Sequence, residues 1–107
     1  MYCNKYGMVI YKNVTTQDQY GDPQEVPQTI KDNISGDMQP YSTEKLKKSY
    51  GYDIEVTKRV FMDIDSNIAN LVEIQHKTLY LKDGNTNYEI RKIVVWDNYM
   101  EVMIYGI

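Results

Sequence analysis

Gly36-Asp-Met-Gln-Pro-Tyr-Ser-Thr-Glu-Lys-Leu-Lys-Lys-Ser-Tyr-Gly-Tyr-Asp-Ile-Glu-Val-Thr-Lys-Arg-Val-Phe61 is the stretch whose reading decides the fold. Pro40 stops extended pairing, because proline has no N–H to give to a ladder. Ser42 or Thr43 then caps a helix, with Glu44 in its first turn and Lys45, Lys47 and Lys48 towards its end, placements that complement the helix dipole. Leu46 and Tyr50 are four residues apart and share a face, and Gly51 is the stop. This predicts a helix over 43–50, too short to stand alone, that docks through Leu46 and Tyr50. From Asp53 to Met62 the pattern alternates. Ile54, Val56, Val60 and Met62 face one way and Asp53, Glu55, Thr57, Arg59 and Phe61 the other, which predicts a strand with one face on a core.

Working outward, Tyr6–Lys12 is a short apolar run rich in β-formers and reads as a strand. Thr15–Glu25 is polar, with Tyr-Gly-Asp-Pro turn chemistry at its centre, and reads as an exposed loop. Val26–Met38 resumes extended structure, as two strands or one bulged strand, with Pro27 against a central position and Gly36 suited to a bulge. Asp63–Asn70 reads as a loop or a single helical turn. Leu71–Gln75 and Thr78–Leu81 read as short extended pieces. Lys82-Asp-Gly-Asn85 is a turn, and Asn87–Trp96 and Tyr99–Tyr105 form an antiparallel pair, with Trp96 and Tyr99 stacking across Asp97-Asn98. The sum is a mainly β domain: a small barrel or sandwich of about six to seven antiparallel strands with one short helix.

The 107 residues fit one domain, 1–107, with 42% apolar and 25% charged residues and a net charge of −3. Eleven tyrosines stand against one Phe and one Trp. Tyrosine suits half-buried strand faces and protein contacts. The single cysteine, Cys3, excludes an intramolecular disulfide, and no Cys/His cluster suggests zinc. No signal peptide and no membrane-length apolar run is expected.

Chemistry on a substrate finds little footing. His76 is the only histidine and reads as solvated at a strand edge. Asp63-Ile-Asp lacks the glycine and terminal glutamate of a calcium loop and reads as a loop capping its own amides. Gly-Asp-Pro at 21–23 is not followed by a phosphate-loop lysine. The expectation is therefore no enzyme, no cofactor and no metal. An OB-like barrel binding single-stranded nucleic acid is the alternative, although the acidic balance and two arginines argue against a phosphate tracker.

The N-terminal strand, the Tyr-Gly-Asp-Pro loop, the segment from Gln39 to Asp63 and the closing Tyr-Glu-Ile-Arg-Lys-Ile-Val-Val-Trp of 88–96 together resemble tailed-phage minor capsid proteins. These are the head-closure, or head–tail connector, proteins of siphophages and related prophages. The resemblance implies a small β-barrel in a homo-oligomeric ring of the virion neck. The subunits would be made in the host bacterial cytoplasm. That ring sits between portal or adaptor and tail, closes the DNA-filled head and offers a docking surface for the tail. It also implies portal, adaptor and tail proteins as partners, with possible contact to packaged DNA and none to membrane. A tail terminator or adaptor of the same neck is a neighbouring reading. The loops at 16–25 and 39–52 hold the candidate interface or channel residues: Tyr20, Asp22, Gln24, Tyr41, Lys45, Lys47, Lys48, Tyr50 and Tyr52.

Overall fold

A computed structural model describes residues 3–51 and 54–107. Tyr52 and Asp53, which the sequence places in a candidate loop and at the start of a strand, lie outside the described residues. The elements run β1 (Cys3–Gln17), β2 (Pro23–Pro40), α1 (Thr43–Tyr50), β3 (Lys58–Met62), α2 (Ser66–Glu73), β4 (Tyr80–Asp83), β5 (Thr86–Val95) and β6 (Met100–Gly106). All pairings are antiparallel, and the strands close a barrel in the order β1-β2-β3-β6-β5-β4, with β4 returning to β1. The expected mainly β barrel is what the chain forms.

Alternation builds the interior. Met8 and Ile10, Ile34 and Met38, Val60 and Met62, and Met100, Val102 and Ile104 all point inward from their strands and are buried in one cluster. β6 is covered on its other face too, since Glu101 and Met103 are as buried as their neighbours. The β4–β5 turn has Gly84 at φ 60°, the conformation a tight two-residue hairpin demands at its first central position.

Four expectations change. The 53–62 strand is shorter: only Lys58–Met62 pairs, and Val56 turns into a second, smaller cluster outside the barrel. The polar loop before residue 26 is mostly strand, because β1 and β2 stay paired out to Gln17 and Pro23. The reading of 26–38 as one bulged strand holds, but Gly36 is not the extra residue. Between the Lys5 and Tyr11 pairs the β1–β2 register shifts three times, once with the extra residue on β1 at Tyr6–Gly7 (Gly7 φ 70°) and twice with it on β2, at Asp32–Asn33 (Asn33 φ 53°) and at Ile30. Gly36 pairs with Lys5 at the border of the first shift and with Met62 in the regular β2–β3 ladder.

The fourth change is a second helix. Residues 66–73, expected as a loop or single helical turn running into an extended piece, form α2. Asp65 caps it, its carboxylate accepting from the Ile68 amide at 3.1 Å. Ile68, Ala69 and Val72 then share one face and enter the barrel core. The Asp-x-x-Ile cap and the Ile68/Val72 spacing were the helical signal; the short apolar run Leu71–Ile74 imitates a strand. Partial burial pushes the Asp65 carboxyl up, but the Ile68 amide, the Lys31 ammonium 3.1 Å away and the Asn67 amide outweigh it and hold it below its ordinary 3.8. A lowered carboxylate stabilises the fold above the unfolded-state value, and that contribution is lost as pH falls through the folded one. Asp65→Ala should therefore cost about 1 kcal/mol in urea unfolding at neutral pH. The gap to the wild type should shrink as the pH drops below 3.8.

Candidate functional site

Two features project from the barrel, and each carries part of the sequence-derived set. The first is an arm. Past the last β1–β4 pair at Tyr11 and Tyr80, β1 and β2 continue as a two-stranded ribbon from Lys12↔Gln28 to Gln17↔Pro23. At strand rise this is about 20 Å of ribbon. The molecule measures 49 × 28 × 24 Å along its principal axes. At the arm's base the Tyr11 and Tyr80 rings stack with centroids 5.4 Å apart, and the Tyr11 hydroxyl donates to the Asn87 side-chain carbonyl at 3.0 Å. Burial, with the neighbouring Tyr80, raises the Tyr11 phenol.

Asp18 builds the tip. Its Oδ1 accepts from the amides of Tyr20 (2.8 Å) and Asp22 (3.0 Å), and its Oδ2 accepts from the Gln24 side-chain amide at 3.5 Å. Gly21, at φ 83°, donates back to the Asp18 carbonyl. Asp22 and Gln24 are thus tied into the turn, and Tyr20 is 80% exposed at the tip. Asp18 was not singled out from sequence, although an aspartate two to four residues before Tyr-Gly-Asp-Pro is a recognisable turn former.

The second feature is α1. Ser42 Oγ accepts from the Lys45 amide at 3.1 Å, and Gly51, at φ 76°, donates to the Lys47 carbonyl at 2.8 Å. Cap, stop and docking residue are those read from sequence. Leu46 is fully buried, within a cluster of its own formed with Tyr41, Val56 and Met103 and flanked by Tyr50, Ile54 and Val94. Lys45, Lys47 and Lys48 are exposed. Tyr41 is buried and Tyr50 half-buried, so both are internal contacts of the α1 unit in this subunit.

A polar network joins α1 to the barrel wall. Glu101, almost wholly buried on β6, accepts from the Tyr50 hydroxyl at 2.8 Å and the Trp96 indole N–H at 3.2 Å. Its other oxygen takes the Arg59 guanidinium at 3.1 Å. Arg59 also donates from Nε and Nη2 to the Gln39 side-chain carbonyl at 3.1 and 3.0 Å. The guanidinium lies 4.3 Å from the Tyr41 ring centroid and 4.9 Å from that of Phe61. Arginine suits this place because its planar fork bonds in-plane while its faces stack.

Sequence reasoning missed Arg59, Glu101, Gln39 and Trp96 as a unit. The available signal was a lone glutamate inside the apolar run 100–104, but partners 42 and 62 positions away cannot be read from a single strand.

Burial pushes the Tyr50 phenol up to about 12, helped by its bond to Glu101 and the charges of Glu101 and Tyr41, with Arg59 pulling the other way. A raised group stabilises fully below its unfolded value, near 10, and that part is lost as pH climbs towards 12. Tyr50→Phe should cost about 1–2 kcal/mol at neutral pH, the range for a hydrogen bond to a charged group. It should also remove a high-titrating phenol from the tyrosinate absorbance curve, and that curve is the check.

Beside the network lies a shallow groove of about 640 Å³ whose lining includes Gln39, Arg59, Phe61 and Tyr99. Phe61 and Tyr99 meet edge-to-face at 5.5 Å, and Trp96 and Tyr99, expected to stack, lie near each other across their turn with centroids 6.4 Å apart and rings tilted by 30°. Tyr6, Trp96 and Tyr99 expose much of their rings nearby or on the rim. Within the network Arg59 and Glu101 are each other's charge partners, and Asp37 and Asp63 also line the groove. Among the described residues no group of three or more His, Cys, Asp or Glu could hold a metal ion. No helix among them is long and apolar enough to cross a membrane. No protein-family model matches the chain, and no curated protein matches it.

Proposed function

We propose that this chain is a structural subunit of a tailed-phage neck. It would assemble as a ring between portal or adaptor and tail, closing the filled head and receiving the tail. The reading rests on the resemblance of the segments 39–63 and 88–96 to head-closure proteins. The observation that carries it is the pairing of a closed barrel with two projecting elements, the arm and α1, that hold candidate contact residues. A closed barrel leaves no strand edge at its wall, so ring contacts fall to side chains. Tyr20 at the arm tip, the Trp96–Tyr99 rim and the exposed lysines of α1 are such side chains. Heterologous contacts between unlike patches are what build a ring. Lys45, Lys47 and Lys48 face packaged DNA or an acidic neighbour in this arrangement.

Single-strand binding is a second reading, favoured by the exposed Trp96 and Tyr99 rings beside the groove. Cryo-electron microscopy of the parent virion tests the first reading. The expected result is density for six-stranded barrels in the neck between portal and tail. A chain absent from purified particles overturns it, and a place at the portal or at the tail end reassigns it to adaptor or terminator. Salt-dependent binding of oligonucleotides at micromolar concentration would support the second reading.

A further inference from the structure

The arm has two outer edges, and they differ. β4 covers β1 only over Val9–Tyr11, and β3 covers β2 only over Gly36–Pro40, so Lys12–Gln17 and Pro23–Thr29 carry no further strand. On the β2 side, Pro23 and Pro27 lie opposite Gln17 and Asn13. A proline has no N–H for its partner, so these odd-numbered pairs are the non-bonded ones of the ribbon and the missing donors belong to the outward row. The β2 edge is thereby blunted. On the β1 edge Asn13, Thr15 and Gln17 turn intact N–H and C=O groups outward, in a proline-free segment rich in β-formers.

Val14 fixes what fits there. Across the ribbon it pairs with Val26, which is one of the exposed large apolar residues. The two form a short apolar row that ends at the β1 edge. The geometry points to a second copy of this chain as the occupant, joined β1 edge to β1 edge, antiparallel, about a two-fold axis at Val14. Such an axis stands perpendicular to the sheet and keeps each residue on its own face, so a residue must meet one of the same parity. Val14 then meets Val14 of the second copy, completing a row of Val26, Val14, Val14 and Val26 on one face of a four-stranded sheet. Asn13 meets Thr15 in both directions, making about four backbone hydrogen bonds. No like charges oppose each other, since Lys12 faces Thr16. A bare two-stranded ribbon is marginal in water and gains from added strands and an apolar face.

The prolines also decide the assembly's extent. A β1-to-β2 contact would repeat from copy to copy, whereas a β1-to-β1 contact closes on itself. A two-fold contact cannot run round a ring, so arm pairing belongs to the free subunit and does not rest on the neck reading. Sedimentation of the full chain should show the mass moving from one copy to two with rising concentration. In a Cys3→Ser background, Val14→Cys should form a disulfide dimer under mild oxidation several-fold faster than Val26→Cys, whose two copies lie about three strand spacings, ~14 Å, apart. Thr15→Pro, which removes an outward donor and leaves the ribbon's own ladder intact, should keep the circular dichroism of the wild type and lose the dimer. The inference is overturned by a wild type that stays at single-copy mass at millimolar concentration. Equal crosslinking at Val14 and Val26, or a dimer that survives Thr15→Pro, overturns it as well.

Discussion

Arg59→Ala is expected to destabilise the protein by about 3 kcal/mol, near the lower end of the range for breaking a buried ion pair. The loss comes less from the missing attraction than from what remains. Glu101 keeps a side chain only 2% exposed, with the Tyr50 and Trp96 donors but no counter-charge. Arg59 is itself 26% exposed, so water entering its place softens the cost. Urea unfolding gives the number, and for a domain of this size it corresponds to a fall in Tm of roughly 10–20 °C. The double variant Arg59→Ala, Glu101→Gln should recover a good part of the loss, because the orphaned charge has gone. A single variant within about 0.5 kcal/mol of the wild type would contradict the burial of an ionised Glu101.

Gly36→Ala is the other large effect, at about 3 kcal/mol or more. An added Cβ would sit 2.6 Å from the Phe61 carbonyl oxygen and 2.9 Å from Val60 Cγ1. The oxygen is backbone, so it cannot swing aside. Relief requires β2 and β3 to separate where Gly36 pairs with Met62. The arms of the comparison are clean, because Gly106→Ala would bring only ordinary contacts, at 3.8 Å and beyond, and should be nearly neutral. Thermal denaturation of the two variants side by side checks the claim, and equal midpoints would refute it.

Gly36 also shows where the sequence is legible and where it is not. Its unusual status was visible, since a glycine inside a strand signals either a bulge or a close approach. Which of the two applies depends on β3 lying against it, a fact of register. α1 was readable in full, because Ser42, Leu46, Tyr50 and Gly51 act within one short window. α2 was missed because Leu71–Ile74 is apolar enough for a strand, and only docking of Ile68 and Val72 in the barrel decides for a helix. Thr15–Glu25 was read as a loop because those residues are polar, and the apolar pair beside them, Val14 and Val26, is too short to show a hydrophobic alternation. For the candidate residues the limit is sharper. Tyr41 and Tyr50 were candidates for subunit contacts, and Tyr50 also for docking α1, but their partners Arg59 and Glu101 come from distant strands and were not legible.

The position of β6 has a consequence for synthesis. It is the last of the six described strands, yet it lies between β3 and β5. A growing chain emerging from the ribosome can zip the β1–β2, β2–β3 and β4–β5 pairs as they appear. It nevertheless carries two open edges and an uncovered interior until Met100–Gly106 arrives. Folding is therefore a late event that waits for its keystone. A nascent chain stalled before residue 100 should need chaperone protection that the finished chain does not.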